Sequence, residues 1–310
     1  MGLIIMIMKK RIVIFLICVL FLICSCQKSE DPSIVEEELS YVDKKVSYLG
    51  PEGTYTQEAC NRYFNNEGEY IPYPSVDEAV EALISKKSDY ALIPQENTIG
   101  GPVIDYVDIL LNHDELYVVG EVELPISQNL LSKKDAELSD IKVVYSHPQG
   151  LIQGSKWLKE NLKDAELIEV SSTAEGAKKV SEAEDKNCAA IASKGAADIY
   201  GLKVLAENIQ ENDSNKTRFY VLSLDEPDHT KKERIAFVAN GEAKDLPVLM
   251  KEVERNGFVL VTIHDRPLRS ELGEYQYLIE CENGDYAKYQ KLLKTDSFVF
   301  RYLGSFNVKR

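Results

Sequence analysis

Residues 46–56 read VSYLGPEGTYT, a short apolar strand pattern followed by a glycine-containing turn and a helix start. The same alternation recurs downstream, where residues 90–93 are a short apolar run and residues 103–111 have helical spacing. Strands that alternate with helices favour parallel sheets covered on both faces. We therefore predict an α/β fold from residue 46 onward.

The remaining elements follow from the same patterns. Further strands are predicted at residues 70–72, 116–123, 141–145, 166–170 and 189–192, and further helices at 151–161 and 173–181. Capping boxes at Ser75 with Glu78, and at Ser172 with Glu175, mark two helix starts. After the acidic segment 225–232, the pattern becomes strand, helix, strand, strand, helix, strand over residues 234–303. That order is typical of a ferredoxin-like βαββαβ unit.

The composition restricts the classes of function and of binding partner. The chain has 310 residues, of which 44% are hydrophobic and 28% charged, enough for one or two packed cores. Its formal net charge of −15 makes a nucleic acid an unfavourable partner. An anionic substrate would need local cations and backbone N–H groups.

The amino terminus has the pattern of an export signal. Lys9, Lys10 and Arg11 precede the apolar residues 12–23, and Cys24-Ser25-Cys26 follows. The apolar run is shorter than the roughly 18 residues that a spanning helix needs. Residues 23–26 resemble a lipobox, so we predict a signal peptide over 1–25, acylation of Cys26, a polar tether over 26–45 and a membrane-anchored location outside the cytoplasm. One alternative is an uncleaved single-pass anchor. Another is a cytoplasmic location without an anchor.

The cysteines outside the amino-terminal segment indicate no special chemistry. Cys60, Cys188 and Cys281 are widely spaced and form no pattern typical of a metal site or a disulfide framework. We expect buried free thiols, and no metal or organic cofactor.

Five sequence runs that lead to residues 217–219 lie where predicted strands meet loops or helices. They are residues 49–56 (LGPEGTYT), 94–103 (PQENTIGGPV), 146–149 (SHPQ) with Gln153, 172–174 (STA), and 189–202 leading to 217–219 (TRF). In this order they resemble the prephenate dehydratase family over residues 46 to about 303. The resemblance implies a carbon-oxygen lyase of phenylalanine biosynthesis that converts prephenate to phenylpyruvate. It also implies a two-lobed catalytic domain over 46–224, similar to type-II periplasmic binding proteins, then a linker over 225–232 and an ACT regulatory domain over 233–305.

The 217–219 run carries the chemistry that the resemblance implies. Thr217 matches the residue regarded as catalytic, and we interpret its hydroxyl as a donor to the departing oxygen; the alternative is a strand threonine chosen for β propensity. Arg218 would bind a substrate carboxylate as a planar fork or pair with Glu96. Phe219 would pack on the substrate ring or fill the core.

Polar residues at the end of the 90–93 strand are predicted to bind the substrate. Glu96, Asn97 and Thr98 precede a glycine turn and a helix, a position that suits anion binding. Thr54 occupies a similar turn after the first strand, and either contacts the substrate or only caps the helix.

The second lobe contributes further predicted binding residues. His147 precedes Pro148 and would bind substrate, transfer a proton or cap a helix. Gln149 and Gln153 lie one helical turn apart, on one face. Ser172 and Thr173 have a capping explanation, with substrate contact as the other possibility.

The carboxyl-terminal unit departs from the family pattern. Family members bind phenylalanine with a Gly-Ala-Leu run and a Glu-Ser-Arg-Pro run. Residues 244–246 (KDL) stand at the first and residues 264–267 (HDRP) at the second, so the regulatory candidates are Leu246, Asp265, Arg266 and Pro267. We expect a dimer or higher oligomer through this unit and a weak response to phenylalanine.

Three functions compete at this level. The first is an active prephenate dehydratase tethered to a membrane. The second is a solute-binding lipoprotein that captures prephenate or another aromatic acid without turnover. The third is a degenerate sensor of aromatic amino acids. The intact 217–219 run and the carboxyl-terminal unit favour the enzyme.

Overall fold

Strands and helices alternate in the computed structural model, which describes residues 40–268 and 270–310. Within those ranges the strands form three sheets. The predicted signal peptide, Cys26 and most of the predicted tether lie outside the described residues. In the part described, no helix is long and apolar enough to cross a membrane.

The first lobe is built on a sheet with strand order β16-β5-β11-β3-β1-β2. Its strands are β1 (Lys45–Leu49), β2 (Glu69–Tyr73), β3 (Tyr90–Asn97), β4 (Gly101–Pro102, paired with β3), β5 (Tyr117–Pro125), β11 (Lys216–Ser223) and β16 (Val308–Lys309). Its helices are α1 (Tyr55–Tyr63), α2 (Val76–Ile84) and α3 (Ile104–Asn112). The predicted cap at Ser75 is confirmed, because its side chain accepts a hydrogen bond from the backbone N–H of Glu78.

The second lobe has a five-stranded sheet with order β10-β6-β9-β7-β8. Its strands are β6 (Asn129–Ser132), β7 (Val143–Ser146), β8 (Glu166–Glu169), β9 (Cys188–Ala192) and β10 (Lys203–Ala206). Its helices are α4 (Pro148–Gln153), α5 (Ser155–Asn161), α6 (Thr173–Glu182) and α7 (Lys194–Ile199). The single helix predicted over 151–161 is therefore wrong, because Gly154 ends α4 and α5 begins directly after it.

The prediction of parallel sheets holds for only part of each lobe. β1 pairs in parallel with β2 and β3, and β7 with β8 and β9. β11 runs antiparallel to both β3 and β5, and β6 is antiparallel to β9 and β10. The chain leaves the first lobe after β5 and returns as β11 in the middle of the same sheet. That crossing, rather than a strand–helix–strand unit, sets the direction of β11.

The carboxyl-terminal unit is a four-stranded antiparallel sheet with order β13-β14-β12-β15. Its elements are β12 (Arg234–Glu242), α8 (Leu246–Arg255), β13 (Val259–Pro267), β14 (Glu274–Glu282), α9 (Tyr286–Leu292) and β15 (Phe298–Phe306). The predicted α/β fold with two lobes and a βαββαβ unit is confirmed. Residues 225–233 contain no helix or strand.

One hydrophobic cluster joins the carboxyl-terminal sheet to the first lobe. Val238, Leu278 and Phe306 from the former pack with Tyr106 and Tyr220 from the latter. The three cysteines predicted to be buried free thiols are confirmed as such. Burial raises the pKa of the Cys281 thiol to about 12, so that thiol stays protonated.

Candidate active site

The hydroxyl of Thr217 is held by one neutral donor from the neighbouring strand. Thr217 on β11 lies opposite Asn97 on β3, and Asn97 Nδ2 donates a hydrogen bond to Thr217 Oγ1 at 2.9 Å. Across residues 40–268 and 270–310, no group accepts a hydrogen bond from the Thr217 hydroxyl. The half-buried hydroxyl is therefore oriented as an acceptor toward Asn97, and its own hydrogen is available to another molecule.

Asn97 can present only its N–H groups to Thr217. Its Oδ1 accepts hydrogen bonds from the backbone N–H groups of Ile99 at 3.0 Å and Gly100 at 2.8 Å. Its Nδ2 also donates to Asn215 Oδ1 at 2.9 Å. A flipped amide would place its NH₂ group against two backbone donors, so this orientation is fixed.

Thr98 fastens the segment before β11 to the end of β3. Its Oγ1 accepts a hydrogen bond from the Lys216 backbone N–H at 3.0 Å and donates to the Ser214 carbonyl oxygen at 3.2 Å. The exposed Thr98 thus has a local structural role, and its contact with substrate stays a prediction.

The two lobes meet close to this point. Gln153 on α4 accepts hydrogen bonds at Oε1 from Asn215 Nδ2 at 3.2 Å and from Gln128 Nε2 at 2.9 Å. Gln149, on the same helix, lies so close to Gly100 that any side chain at position 100 would collide with its amide nitrogen. The structure thus brings Thr217, Asn97, Thr98, Gln149 and Gln153 together.

Arg218 faces the opposite side of β11, away from this group. Its Nε and one terminal nitrogen donate to Glu121 at 2.7 and 2.8 Å, and the other terminal nitrogen donates to Glu96 at 3.2 Å. A further bond goes to Glu280 on β14. Four of the five N–H groups of Arg218 are therefore engaged, and no free pair remains to form a carboxylate fork. Of the two alternatives for Arg218, the structure shows the pairing with Glu96.

Burial and charge make this a tightly held ionic cluster. Glu121 is fully buried and Glu280 is 1% exposed. Burial raises the pKa of Glu121, and the hydrogen bond from Arg218 opposes that shift. Burial alone would lower the pKa of Arg218, but its hydrogen bond to Glu121 and the charge of Glu280 raise it well above its ordinary value. Arg218 is therefore cationic throughout the useful pH range.

Phe219 fills the core instead of lining a cleft. It is 2% exposed and packs with Val46, Leu92 and Val122 beneath α1. Of the two roles considered for Phe219, packing on a substrate ring has no support in this geometry.

Three predicted site residues cap helices. Thr54 Oγ1 accepts a hydrogen bond from the Gln57 N–H at 3.4 Å, His147 Nδ1 from the Gln149 N–H at 3.3 Å, and Ser172 Oγ from the Glu175 N–H at 3.0 Å. They follow β1, β7 and β8, so each lies at the carboxyl end of a parallel strand. The cap leaves His147 Nε2 as the protonated nitrogen of the neutral ring.

Thr173 directly follows the third of these caps, Ser172. Its methyl group is close to Gly150 of α4, so the starts of α4 and α6 are adjacent. No hydrogen bond among the described residues links Thr54, His147, Ser172 or Thr173 to Thr217, and their contact with substrate stays a prediction.

The carboxyl-terminal candidates lie near the first lobe. Arg266 Nε pairs with Asp108 of α3 at 2.6 Å, and its guanidinium also donates to the Asp265 carbonyl oxygen at 2.8 Å. Asp265, Arg266 and Pro267 end β13, while Leu246 begins α8 and packs in the carboxyl-terminal core. The described residues contain no cluster of three or more His, Cys, Asp or Glu that could hold a metal.

The sequence prediction missed Asn215, Gln128 and Glu280. Asn215 has the same strand periodicity as Thr217 and Phe219, two and four residues further on, and that signal could have indicated it. Gln128 and Glu280 are distant in sequence from the motifs, and only the fold brings them to these positions.

A family model, a curated relative and a solved structure agree on one family. A sequence model of the family described as prephenate dehydratase matches residues 46–227. The prephenate dehydratase of Bacillus subtilis is 31% identical over 258 residues, which cover 77% of this chain and 88% of that protein. The crystal structure of a prephenate dehydratase from Arthrobacter aurescens, in complex with L-Phe, has 29% sequence identity and a TM-score of 0.74, covering 85% of this chain and 90% of that one.

A longer, bifunctional relative matches this chain over only part of its own length. The bifunctional chorismate mutase/prephenate dehydratase of Neisseria gonorrhoeae is 36% identical over 239 residues, which are 76% of this chain and 66% of that protein. This chain therefore spans about two thirds of the length of that bifunctional relative.

Proposed function

Because the chain belongs to the prephenate dehydratase family, we propose that it converts prephenate to phenylpyruvate, CO₂ and water. The ring carboxylate leaves as CO₂, and its bonding electrons enter the ring as the C–O bond to the hydroxyl breaks. One proton joins the departing hydroxyl to give water, so atoms and charge balance. Aromatisation supplies the driving force, and the protein has to orient the substrate and assist the departing oxygen.

The observation that carries the proposal is the hydrogen bond from Asn97 to Thr217. It occupies a lone pair of Thr217 Oγ1 and leaves the hydroxyl hydrogen free to be donated to the departing oxygen. A positioned donor in a site closed to water lowers the barrier because it meets charge as that charge develops. The amino termini of α1 and α6, at Thr54 and Ser172, would offer backbone N–H groups to the substrate carboxylates.

The test is direct. Purified protein is mixed with prephenate, and phenylpyruvate is followed by its absorbance, with a reaction lacking protein as the blank. Turnover without added metal or organic cofactor is the expected result. Tight prephenate binding without turnover would overturn the proposal and favour the solute-binding alternative.

We also propose that the carboxyl-terminal unit is an ACT-like domain that forms a dimer and responds weakly to phenylalanine. The relative from Arthrobacter aurescens was crystallised with L-Phe. Here Lys244 and Asp245 put charged side chains where the family has Gly-Ala, and charge beside an apolar ligand disfavours binding. Titrating phenylalanine during the assay, with mass followed by light scattering, tests both parts. Strong inhibition at micromolar phenylalanine, or a monomer throughout, would contradict them.

We propose finally that Cys26 is acylated and begins the mature chain. The support is the basic, apolar and Cys24-Ser25-Cys26 pattern of the amino terminus. Mass spectrometry of the amino-terminal peptide and membrane fractionation of Cys26→Ala test it. An unmodified full-length chain in the cytosol would refute the anchor.

A further inference from the structure

A chain of neutral side chains runs from Thr217 across both lobes to α1. Its links are Asn97 to Thr217 (2.9 Å), Asn97 to Asn215 (2.9 Å), Asn215 to Gln153 (3.2 Å), Gln128 to Gln153 (2.9 Å) and Tyr55 to Gln128 (3.1 Å). Members come from β3 and α1 of the first lobe, α4 of the second, and the two segments that cross between the lobes.

Each amide in the chain has one compatible orientation. The backbone N–H groups of Ile99 and Gly100 fix Asn97, so Asn97 offers only N–H to Asn215. Asn215 must therefore accept at Oδ1 and donate from Nδ2 to Gln153. Gln153 accepts at Oε1 from both sides, and Gln128 must then turn its Oε1 toward the hydroxyl of Tyr55. Burial raises the pKa of Tyr55 well above its ordinary value, so this hydroxyl keeps its single hydrogen, which is shared between the Ser127 carbonyl oxygen at 2.8 Å and Gln128 Oε1 at 3.1 Å.

The central residues of this hydrogen-bond network are buried where the polypeptide crosses between the two lobes. Asn215 is 1% exposed and Gln128 is 3% exposed. Backbone bonds hold both segments, from Ile126 N–H to the Asn215 carbonyl and from Ile209 N–H to the Gln128 carbonyl, each at 2.9 Å. The side chains are therefore placed by the two segments that cross between the lobes, residues 126–128 and 207–215, and a buried amide that loses its partner is costly.

We propose that Asn215 and Gln128 are positioning residues that aim the Thr217 hydroxyl, through Asn97, only when Gln153 of the second lobe is in place. This inference rests on the proposed dehydratase activity. Asn215 takes one N–H of Asn97 and thereby directs the other at Thr217 Oγ1. Without Asn215 the second N–H of Asn97 has only the Lys216 carbonyl oxygen as its partner, 3.3 Å from Nδ2, and a bend toward that oxygen moves the other N–H off Thr217 Oγ1.

Asn215→Asp is the sharpest variant because its protonation state decides whether the chain is intact. A protonated carboxyl group accepts from Asn97 and donates to Gln153, as asparagine does, whereas an ionised one faces the Gln153 oxygen with no hydrogen to share. The charged residues nearest in sequence are Asp213 and Lys216, and Lys216 pairs with Glu123 at 3.8 Å. From the neighbouring elements, the titratable residues are His147 at the start of α4, Tyr55 on α1, and Glu211, whose backbone N–H donates to the Gln153 carbonyl oxygen at 2.9 Å. We expect kcat at alkaline pH to fall about 10-fold, with KM changed less than threefold, and to recover as pH falls. A pH profile parallel to that of the wild type would overturn the proposal.

Two further variants show whether the effect passes through Thr217. Asn215→Ala should lower kcat about 10-fold in the wild-type background and less than about twofold in a Thr217→Val background, because coupled residues are not additive. Gln128→Leu should give a smaller loss of the same kind. Equal losses of kcat in both backgrounds would show that Asn215 does not act through Thr217.

Asn129→Ala is the matched control. Asn129 is 2% exposed and directly follows Gln128 as the first residue of β6, but its side chain bonds to backbone groups, including the Ser127 carbonyl at 3.1 Å. We expect lower thermal stability with kcat within about twofold of the wild type. A loss of kcat equal to that of Asn215→Ala would reduce the proposal to general destabilisation.

A readout without catalysis separates this inference from the proposed function. In the wild type, the side-chain NH₂ of Asn97 should exchange slowly with solvent by NMR. Asn215→Ala should speed that exchange at least about 10-fold, and Asn129→Ala should leave it unchanged. A wild type without turnover would refute the dehydratase activity alone, whereas unchanged exchange in Asn215→Ala would refute the positioning role.

Discussion

The two faces of β11 carry networks of opposite character. Thr217 on one face joins neutral amides that reach the second lobe. Arg218, its neighbour, joins Glu96 and Glu121 of the first lobe and Glu280 of the carboxyl-terminal sheet. Alternation along a strand sends adjacent side chains to opposite faces, so two consecutive residues serve two different partners.

The neutral network positions the Thr217 hydroxyl, whereas the ionic cluster anchors the carboxyl-terminal sheet to the first lobe. Neutral hydrogen bonds have direction and little long-range field, so a chain of them can orient one hydroxyl without changing its charge environment. Buried charges interact strongly only when all their partners are present. Glu280 gathers Arg218 and Arg234 at one oxygen and Gln95 and Tyr220 at the other, which ties the carboxyl-terminal sheet to the strand that carries Thr217.

The largest expected effect is on stability, from Arg218→Met. The substitution removes the cation that is hydrogen-bonded to Glu121 and one of the two that bind Glu280, and breaking a buried pair costs about 3–5 kcal/mol. Denaturant unfolding of the variant and the wild type measures this loss. Arg255→Met is the control, since Arg255 is 59% exposed in its pair with Glu252 and should change stability by less than about 1 kcal/mol. Equal losses of unfolding free energy in the two variants would show that the ionic cluster around Arg218 does not stabilise the fold.

Next in size is the effect of Thr217→Val on turnover. Valine keeps the branched shape but removes the donor, and losing one positioned donor lowers kcat by about 10²-fold, or about 2.7 kcal/mol of barrier. Prephenate binding and unfolding should change little, in contrast to Arg218→Met. Thr217→Ser keeps the hydroxyl and serves as the control. A fully active Thr217→Val would remove this hydroxyl from the mechanism.

A smaller effect is expected from Glu280→Gln. Glutamine keeps the shape but turns one oxygen into a donor that faces other donors, at a cost of about 2 kcal/mol in stability. Turnover below the unfolding transition should stay within about threefold of wild type, because Thr217 faces away from Glu280. Glu282→Gln is matched to it, since Glu282 is 53% exposed and lies 3.9 Å from Arg234. A drop in kcat as large as that of Thr217→Val would show that the two faces are not independent.

Local patterns predicted most elements of this fold. Ser75 and Ser172 were correctly predicted as helix caps because capping depends on residues three apart. The direction of β11 could not be predicted, because it depends on where the chain re-enters the first lobe after about ninety residues in the second. Gly154 breaks a helix that the 151–161 pattern predicted as one.

The candidate site was predictable where the residues lie in runs. Thr217 and Asn97, each predicted as a site residue, form a hydrogen bond. Of the two partners predicted for Arg218 the structure shows Glu96, and the free fork is excluded by Glu121 and Glu280, which are 97 and 62 residues away in the sequence. Charges on distant strands leave no periodic signal in the sequence. For the same reason the neutral chain through Asn215 and Gln128 became visible only once both crossing segments were placed.

The smallest expected effect concerns His264, at the contact between the carboxyl-terminal sheet and α3. Its ring packs edge-on against Tyr106, with centroids 5.8 Å apart. Burial lowers the pKa of His264; Glu96, Asp265 and Glu280 oppose that shift, and Arg266 adds to it. Because the folded pKa lies below the unfolded one, the neutral ring contributes stability above the unfolded pKa, and that contribution is lost as pH falls through the folded pKa. We therefore expect acid to lower the thermal midpoint slightly more in wild type than in His264→Gln, by about 1–2 °C. Thermal scans of both proteins across mildly acidic and mildly alkaline buffers measure the difference, and the alkaline scans are the internal control, since the midpoints should not diverge with pH there. Curves that stay parallel down to acid pH would show that the contact between the carboxyl-terminal sheet and the first lobe depends on its permanent charges and not on this histidine.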